Sequence, residues 1–382
     1  MNDLPRPRLD LDGLTAGPDA RWGSVRLVPL LRRAPVPGLR LHGHVDAEGR
    51  SVAAEPDRPH ALTYVPHSYT APWYGDERGG FAYGTQLIPA EPGEGAPRRE
   101  SAGLRRPGRG RPGGAGFPPL HVAVEGYLCL RFGDPTFTWT EWTRSTLGHG
   151  NGARSDTFVP GDDVGGLAEA LRVFEIHRGQ CGVAVYVADT LASVHVYPHP
   201  EDYRALHHSL LLDLFAETLY TYGLMYPDAP VHYDPIDPGS VHTVEDLRRS
   251  VAASRAATAR VHDGLLRDAL TGDHAFRRVQ EWRGFTVRRF FPTFSRQGEN
   301  HVGELVTDPE GRTALLQTFR LSPAQVRRGH LLRTLEQHDW SPRSAALDLR
   351  TSEPDLLDRL RRAGLGALLA PGLLTRHRRA RL

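Results

Sequence analysis

The stretch from Cys181 to Tyr222 reads CGVAVYVADTLASVHVYPHPEDYRALHHSLLLDLFAETLYTY and carries the clearest structural pattern in the chain. Valines alternate with other residues from Val183 to Val187, and the chain becomes apolar again from Leu191 to Tyr197. Ala188-Asp189-Thr190 separates these two runs. Alternation interrupted by a short polar turn predicts a β-hairpin.

A helix is predicted to follow this hairpin directly. His199-Pro200-Glu201-Asp202 places a proline and two acids where a helix has its first turn. Apolar residues then recur at the spacing of one buried helical face, and they are Tyr203, Leu206, Leu210, Leu214 and Leu219. Gly223 is placed to end the helix.

The rest of the chain adds more strands before this unit and a mixed region after it. Strand-like runs precede it at residues 24–30, 39–45, 61–65, 81–88 and 120–130. After it, helices are predicted from Thr243 to Leu270, from Ser322-Pro323 and from Glu353-Pro354, with strands at 284–291, 302–306 and 313–321. The first of these helices would bury Leu247, Val251, Val261 and Leu265. The sequence therefore predicts an α+β fold, a mostly antiparallel sheet with a long packing helix, followed by a smaller helix-rich α+β C-terminal region.

Composition divides the chain into a tail, two regions and a linker. Residues 1–20 are predicted to be a flexible tail, and residues 21–225 form the first α+β region. Its residues 91–118 are dense in Gly, Pro and Arg and are predicted to be a disordered insertion. A Pro-rich linker at 226–240, a second region at 241–375 and a basic tail at 376–382 complete the prediction.

Totals exclude several classes of protein. The net charge of +2 over 382 residues gives no global field that favours nucleic acid, and all 47 basic residues are arginine. Two cysteines, Cys129 and Cys181, are predicted to be buried free thiols and not a disulfide framework. No apolar run approaches the roughly 20 residues that a membrane span needs, and the opening residues show no signal pattern. We expect a cytoplasmic protein with no membrane association.

The best candidate for chemistry is Glu125, which stands beside Gly126 near the end of a predicted strand. Glycine lets a backbone approach a ligand closely, and a carboxylate there can act as an acid or base. Glu141 and Arg144 follow in the next strand-like region and could complete a ligand-binding cluster. The plainer alternative is a salt bridge at the rim of the sheet, which contributes little.

A metal site and a cofactor site are not predicted. His42 and His44 share one face of a strand, but no third ligand can be named from spacing. The chain has no HExxH or CxxC motif and no phosphate-binding glycine loop.

The run from Glu175 to Tyr222 resembles a prokaryotic family named for its association with ADP-ribosylglycohydrolase and rhodanese-phosphatase domains. The resemblance covers roughly residues 23–223, with Val124-Glu125-Gly126-Tyr127 similar to a Val-Glu strand of that family. It implies a glutamine-asparagine-arginine element after the glycine pair near Gly79, of which this sequence has only Gln86 nearby, and Gln86 is the candidate ligand-binding residue. It also implies a link to ADP-ribose or NAD-derived metabolites.

Three functional hypotheses follow from these observations. The first is an accessory or binding module for a nucleotide-like small molecule such as ADP-ribose, with arginines holding its diphosphate. The second is an enzyme that processes such a metabolite with Glu125 as acid or base. The third is a protein that interacts with RNA or protein through residues 98–111 and the basic tail, although nucleic acid is not the favoured partner.

Overall fold

The computed structural model describes residues 11, 13–37, 40–41, 44–45, 51–52, 61–62, 69–71, 80–82, 128, 131–132, 177–209, 226–230, 235–270, 272–282, 285–363 and 365. The described strands are β1 Leu14–Ala16, β2 Ala20–Trp22, β3 Val25–Arg32, β4 Arg40–Leu41, β5 His44–Val45, β6 Ser51–Val52, β7 Ala61–Leu62, β8 Tyr69–Ala71, β9 Gly80–Ala82, β10 Gln180–Val187, β11 Thr190–Val196, β12 His274–Trp282, β13 Phe285–Pro292, β14 His301–Thr307 and β15 Thr313–Arg320. The described helices are α1 Pro200–Ser209, α2 Val244–Leu270, α3 Pro323–Gln337, α4 Pro342–Asp348 and α5 Glu353–Arg362, and Pro238–Ser240 is a 3-10 turn.

A nine-stranded antiparallel sheet organises the molecule. Its strand order is β1-β3-β10-β11-β15-β14-β13-β12, with β2 paired to β3 beside β1. Pairs of two- and three-residue strands, β4 with β7, β5 with β6 and β8 with β9, stand outside this sheet. The prediction of an α+β fold with a mostly antiparallel sheet is confirmed.

The predicted hairpin forms the centre of the sheet as β10 and β11. Its turn is Ala188-Asp189, and both residues have positive φ, 46° and 59°, as a two-residue turn matching the strand twist requires. β10 pairs with β3 on one side, and β11 pairs with β15 on the other. The ladder between β11 and β15 makes one sheet of strands that come from both predicted regions. The domain boundaries themselves stay a prediction.

Helices cover both faces of the sheet. On the first face, the side chains of Val185, Val302 and Phe319 lie in one buried cluster with Leu335 of α3 and Leu356 of α5. On the second face, a separate buried cluster joins sheet residues to α2 through Leu266 and Leu270. Strand alternation explains the division, because neighbouring residues of a strand point to opposite faces.

The buried face of α2 differs from the predicted one. Leu247 and Val261 are each 45% exposed, whereas Thr258, His262 and Leu266 are buried. Only the C-terminal half of the helix lies against the sheet, so apolar spacing along its whole length selected the wrong face. The start of α2 is as predicted, since Thr243 and Asp246 bond each other reciprocally as a capping box.

The other helix starts also follow from local sequence. α1 begins at Pro200, and its predicted continuation to Leu219 lies outside the described residues beyond Ser209. α3 begins with a capping box in which the Ser322 hydroxyl accepts from the Gln325 N–H and the Gln325 side chain accepts from the Ser322 N–H. α5 begins with Ser352 as its N-cap. Strand β12 and helix α4 were not predicted.

A buried arginine fastens the β3 edge of the sheet. Arg26 of β3 is 1% exposed, and its guanidinium bonds Asp19 at 2.6 Å, Asp189 of the hairpin turn at 2.9 Å and the carbonyl of Pro230 at 2.6 Å. These contacts bring together a loop before β2, the turn after β10 and part of the predicted linker. Leu14 to Ala16, in the predicted tail, pairs with β3 because Leu14 and Ala16 bury their side chains in the second-face cluster.

Asp19 carries the electrostatic balance of this cluster. Burial by itself would raise the pKa of the Asp19 carboxyl, but the neighbouring His262 ring, whose Nε2 lies 3.7 Å from Oδ1 of Asp19, and the positive charge of Arg26 outweigh it. The net result is a pKa below the ordinary aspartate value. The ionised form of Asp19 is therefore stabilised more in the folded protein than in the unfolded chain.

Replacing Arg26 by Met should unfold the protein far more readily than a surface change. The substitution keeps the aliphatic stem but leaves two carboxylates facing each other, so we expect a loss of about 3–5 kcal/mol in the free energy of unfolding. Urea denaturation would measure it, with Arg33→Met on the exposed end of the same segment as the matched control. A loss near that of the control would mean that Arg26 does not fasten this edge.

Acid should remove the contribution of Asp19. Its folded pKa is depressed, so its stabilisation is present above the unfolded value of about 3.9 and is lost as pH falls through the lower folded value. We expect the free energy of unfolding of the native chain to fall more steeply between about pH 5 and pH 2 than that of Asp19→Asn. Parallel slopes for the two proteins would contradict the assignment.

Candidate functional site

None of the five site residues predicted from the sequence lies in the described part of the chain. Glu125, Gly126, Glu141, Arg144 and Gln86 all fall outside it, so their roles stay predictions.

The segment just after Glu125 is partly described and differs from the predicted strand. Leu128 and Arg131 are helical, and the Phe132 N–H donates to the Leu128 carbonyl at 3.2 Å, a bond between residues four apart. The strand predicted over residues 120–130 is therefore wrong at its end. Leu128 and Phe132 pack into the first-face cluster.

A row of polar side chains crosses the first face of the sheet. The strand registers pair His195 with Gln317, Gln317 with Glu304, Glu304 with Arg289, and Arg289 with Arg277. Directly opposed residues of an antiparallel ladder share one face. These five residues, one from each of β11, β15, β14, β13 and β12, are called the polar row.

The inner part of the polar row is buried, and its two charged side chains neutralise each other. His195, Gln317 and Glu304 are fully buried, and Arg289 is 13% exposed. The Nε of Arg289 donates to Oε1 of Glu304 at 2.8 Å, which neutralises this charge inside the fold. Close approach of the strands is needed here, because a side chain in place of Gly303 would overlap the carbonyl oxygen of Gln317.

His195 is held neutral. Burial lowers the pKa of His195 to about 3, and its ring meets the edge of Phe319 with 5.6 Å between centroids. A general base works best with a pKa near the working pH. His195 is therefore unsuited to acid–base catalysis near neutrality.

The outer part of the polar row belongs to a second feature, the arginine ladder. It consists of Arg277 and Arg278 on β12 and Arg288 and Arg289 on β13. Arg277 lies directly opposite Arg289, and Arg278 lies directly opposite Arg288. Like charges placed opposite each other in a sheet are destabilising, so this arrangement is unfavourable for the isolated fold.

Local partners compensate some of these charges and not others. Glu304 neutralises Arg289, and Glu281 lies 2.9 Å from Arg278 at the surface. Arg288 donates to the Thr307 hydroxyl at 2.8 Å, which is a neutral acceptor. Within the described part of the chain, Arg277 makes no ion pair.

The β12 half of the arginine ladder faces solvent, because β12 is the last strand of the sheet in the described part of the chain. The Arg278 side chain is 69% exposed, Val279 is 39% exposed, and Arg277 is also exposed. Residues 273–292 hold five arginines against Asp273 and Glu281, so this hairpin carries a larger positive charge than the +2 of the whole chain. A guanidinium offers forked donors that match carboxylate and phosphate oxygens.

A third polar cluster lies on the second face, at the start of β14. Burial, followed by the charges of His274 and Arg320, lowers the pKa of the fully buried His301 to about 3. Arg320 holds Glu299 with two bonds of 2.6 and 3.3 Å. Across the described residues, no group of three or more His, Cys, Asp or Glu side chains is arranged to hold a metal ion.

Other sequence expectations have mixed outcomes. Cys181 is a buried free cysteine, as predicted, and burial raises its pKa to about 11. Cys129 and His42 lie outside the described residues. No helix in the described part of the chain is long and apolar enough to cross a membrane.

The sequence did contain a signal for the arginine ladder. Residues 276–279 read Phe-Arg-Arg-Val and residues 287–290 read Val-Arg-Arg-Phe, which is the same tetrad reversed. Antiparallel pairing places a reversed repeat on itself, and Phe276 does pair with Phe290. The prediction missed it because β12 was not recognised as a strand.

Comparison with known proteins gives one match. The family model that matches is ARPP-2, over residues 9–283. No curated protein matches the chain. No solved structure matches it either.

The match corrects the resemblance stated from the hairpin and its helix. The family found is ARPP-2, and the comparison shows no match to ADP-ribosylglycohydrolase or rhodanese proteins. The matched span also runs from β1 through β12 and not from residue 23 to residue 223. Strands β13 to β15, which complete the sheet and supply half of the arginine ladder, lie beyond it. Because the family model matches most of the length of this chain, the chain belongs to the ARPP-2 family.

Proposed function

We propose that this protein is an accessory binding module that recognises an anionic partner at the arginine ladder. This proposal is supported by the strand pairing at the β12 edge of the sheet, where Arg277 lies opposite Arg289 and Arg278 lies opposite Arg288.

Without a bound partner, the arginine ladder destabilises the fold through like-charge repulsion. Directly opposed arginines repel each other, and exposed ion pairs such as Arg278 with Glu281 give little in return. An anion beside Arg277 and Arg289 on the first face of the sheet, or beside Arg278 and Arg288 on the second face, would turn this repulsion into attraction. The arrangement thus favours the bound state over the free state.

The inner polar row supports this role by fixing the position of Arg289. Glu304 holds the Arg289 Nε within the sheet, so the strand that carries Arg288 and Arg289 presents both guanidiniums from a rigid ladder and not from a loop. Binding groups placed on sheets and helices are held more precisely than groups on loops. Arg277 then supplies the exposed charge at the outer end.

The described groups favour binding over catalysis. The low pKa of His195 and the raised pKa of Cys181 make both groups poor acid–base or nucleophilic catalysts near neutral pH. An enzyme acting through Glu125 is the alternative from the sequence, and no described residue adds support to it.

The partner's shared chemistry is a pair or run of oxygen anions. The diphosphate of a nucleotide-like metabolite and a run of carboxylates both meet this requirement. No cofactor is needed for such recognition.

Binding should depend on the ladder and on salt. The test panel consists of poly-glutamate, ADP-ribose, NAD, ATP and tripolyphosphate, with neutral adenosine as a control. We expect at least one of these anions to raise the thermal midpoint of the full chain, and adenosine to leave it unchanged. The shift should shrink between about 50 and about 300 mM NaCl. Arg277→Glu combined with Arg288→Glu should weaken binding about tenfold or more.

Arg255→Glu, an exposed arginine change on α2, serves as the matched control and should leave binding intact. Arg277→Gln adds a second readout: without ligand it should leave the midpoint unchanged or slightly higher, because it removes a repulsion. No shift with any anion, or equal losses in the ladder and control variants, would contradict the proposal.

A further inference from the structure

We infer that the anionic partner is an extended acidic polypeptide segment that pairs with β12 as an additional strand of the sheet. This inference rests on the proposed function and adds the class of partner and the mode of binding.

The first support is the shape of the two sheet edges. Among the described strands, β12 spans nine residues and ends the strand order on its side, whereas β1 and β2 at the opposite edge have three residues each. A terminal strand presents backbone N–H and C=O groups that another strand can pair with. Strand addition at such an edge is an established mode of peptide recognition. β12 is thus the edge with room for a peptide.

The second support is the exposure of β12 along its length. Ala275, Arg277, Arg278, Val279 and Glu281 are all exposed. β12 pairs with β13 on its inner side through eight residue positions, with a bulge at Val279 between Arg278 and Gln280, so its backbone is already held in place on both sides of the bulge. A peptide that joins it gains ladder hydrogen bonds without first ordering the edge.

The third support is the sign of the charges. Arginines at an edge oppose pairing with a second copy of β12, because the copy would bring arginines against arginines. The same arginines attract an acidic strand, and each opposed pair of unlike charges adds to the pairing. One arrangement therefore rejects self-association and selects an acidic segment.

Strand alternation specifies the acidic pattern. Arg277 lies on the first face of the sheet and Arg278 on the second, since neighbouring residues point to opposite sides. A matching peptide has acids at adjacent positions, one for each face, and a small apolar residue near Val279. A nucleotide or RNA could contact the guanidiniums but would not continue the backbone ladder.

A peptide pair tests the mode of binding. One peptide matches β12 in length and places adjacent glutamates among valines, and the other has the same charge with prolines at alternate positions, which cannot donate ladder hydrogen bonds. Fluorescence anisotropy with the full chain should show the first binding at least about tenfold more tightly than the second. Hydrogen exchange should show slower exchange of amides within residues 274–282 only with the first peptide.

A charge swap supplies the matched control. Arg277→Glu with Arg278→Glu should lose the glutamate peptide and gain a lysine peptide of the same design, whereas Arg255→Glu should behave as the native chain. Equal binding of both acidic peptides without protection of β12 would overturn strand addition and leave anion binding intact. Binding of ATP or ADP-ribose with no binding of either peptide would overturn the peptide assignment, and no binding of any anion would overturn both proposals.

Discussion

The pairing of β11 with β15 is the constraint on which the rest of this structure depends. Four residue pairs, from Ser193 with Phe319 to Val196 with Leu316, join the early hairpin to the later strands in one sheet. A slip of one residue would send every side chain of one strand to the opposite face. The apolar residues on both sides of these strands exclude such a slip, because each face is packed under helices. The same register places His195 opposite Gln317, and the next two strand registers continue the row to Glu304 and Arg289.

Charge is handled differently at the two ends of the sheet. At the β3 edge, Arg26 is buried and compensated by two aspartates and a carbonyl, so its charge serves the fold. At the β12 edge, Arg277 and Arg278 face solvent opposite Arg289 and Arg288, and among the described residues a buried acid compensates Arg289 alone. Compensated burial fixes geometry, whereas uncompensated exposure leaves attraction available to a partner. This contrast separates the structural arginine from those we assign to binding.

The arginine ladder also combines a strand inside the span that the family model matches with a strand outside it. β12 lies within the span matched by the ARPP-2 family, and β13 lies just beyond it. Neither strand could present the ladder alone, because each guanidinium is placed by the register between them. A surface of this kind belongs to the pairing and not to either segment, which explains why inspection of single motifs did not find it.

Local patterns were enough for the elements whose signals are contained within a few residues. Valine alternation and a polar turn predicted β10 and β11, a capping box predicted the start of α2, and first-turn prolines predicted the starts of α3 and α5. The α+β class followed from these elements. The sequence also showed the reversed tetrads that form the arginine ladder, although their meaning depends on which strands pair.

Tertiary contacts settled what these patterns left open. The buried side of α2 depends on where the sheet meets it, so Leu247 and Val261 are exposed despite their helical spacing. The neutral state of His195 depends on complete burial between sheet and helices, which no neighbouring residue in the chain reveals. The opposition of Arg277 to Arg289 depends on register across a turn. Burial and register depend on pairs of distant segments, whereas propensity and capping depend on one segment alone. The sequence by itself therefore determined the local elements, and only the tertiary structure decided burial and register.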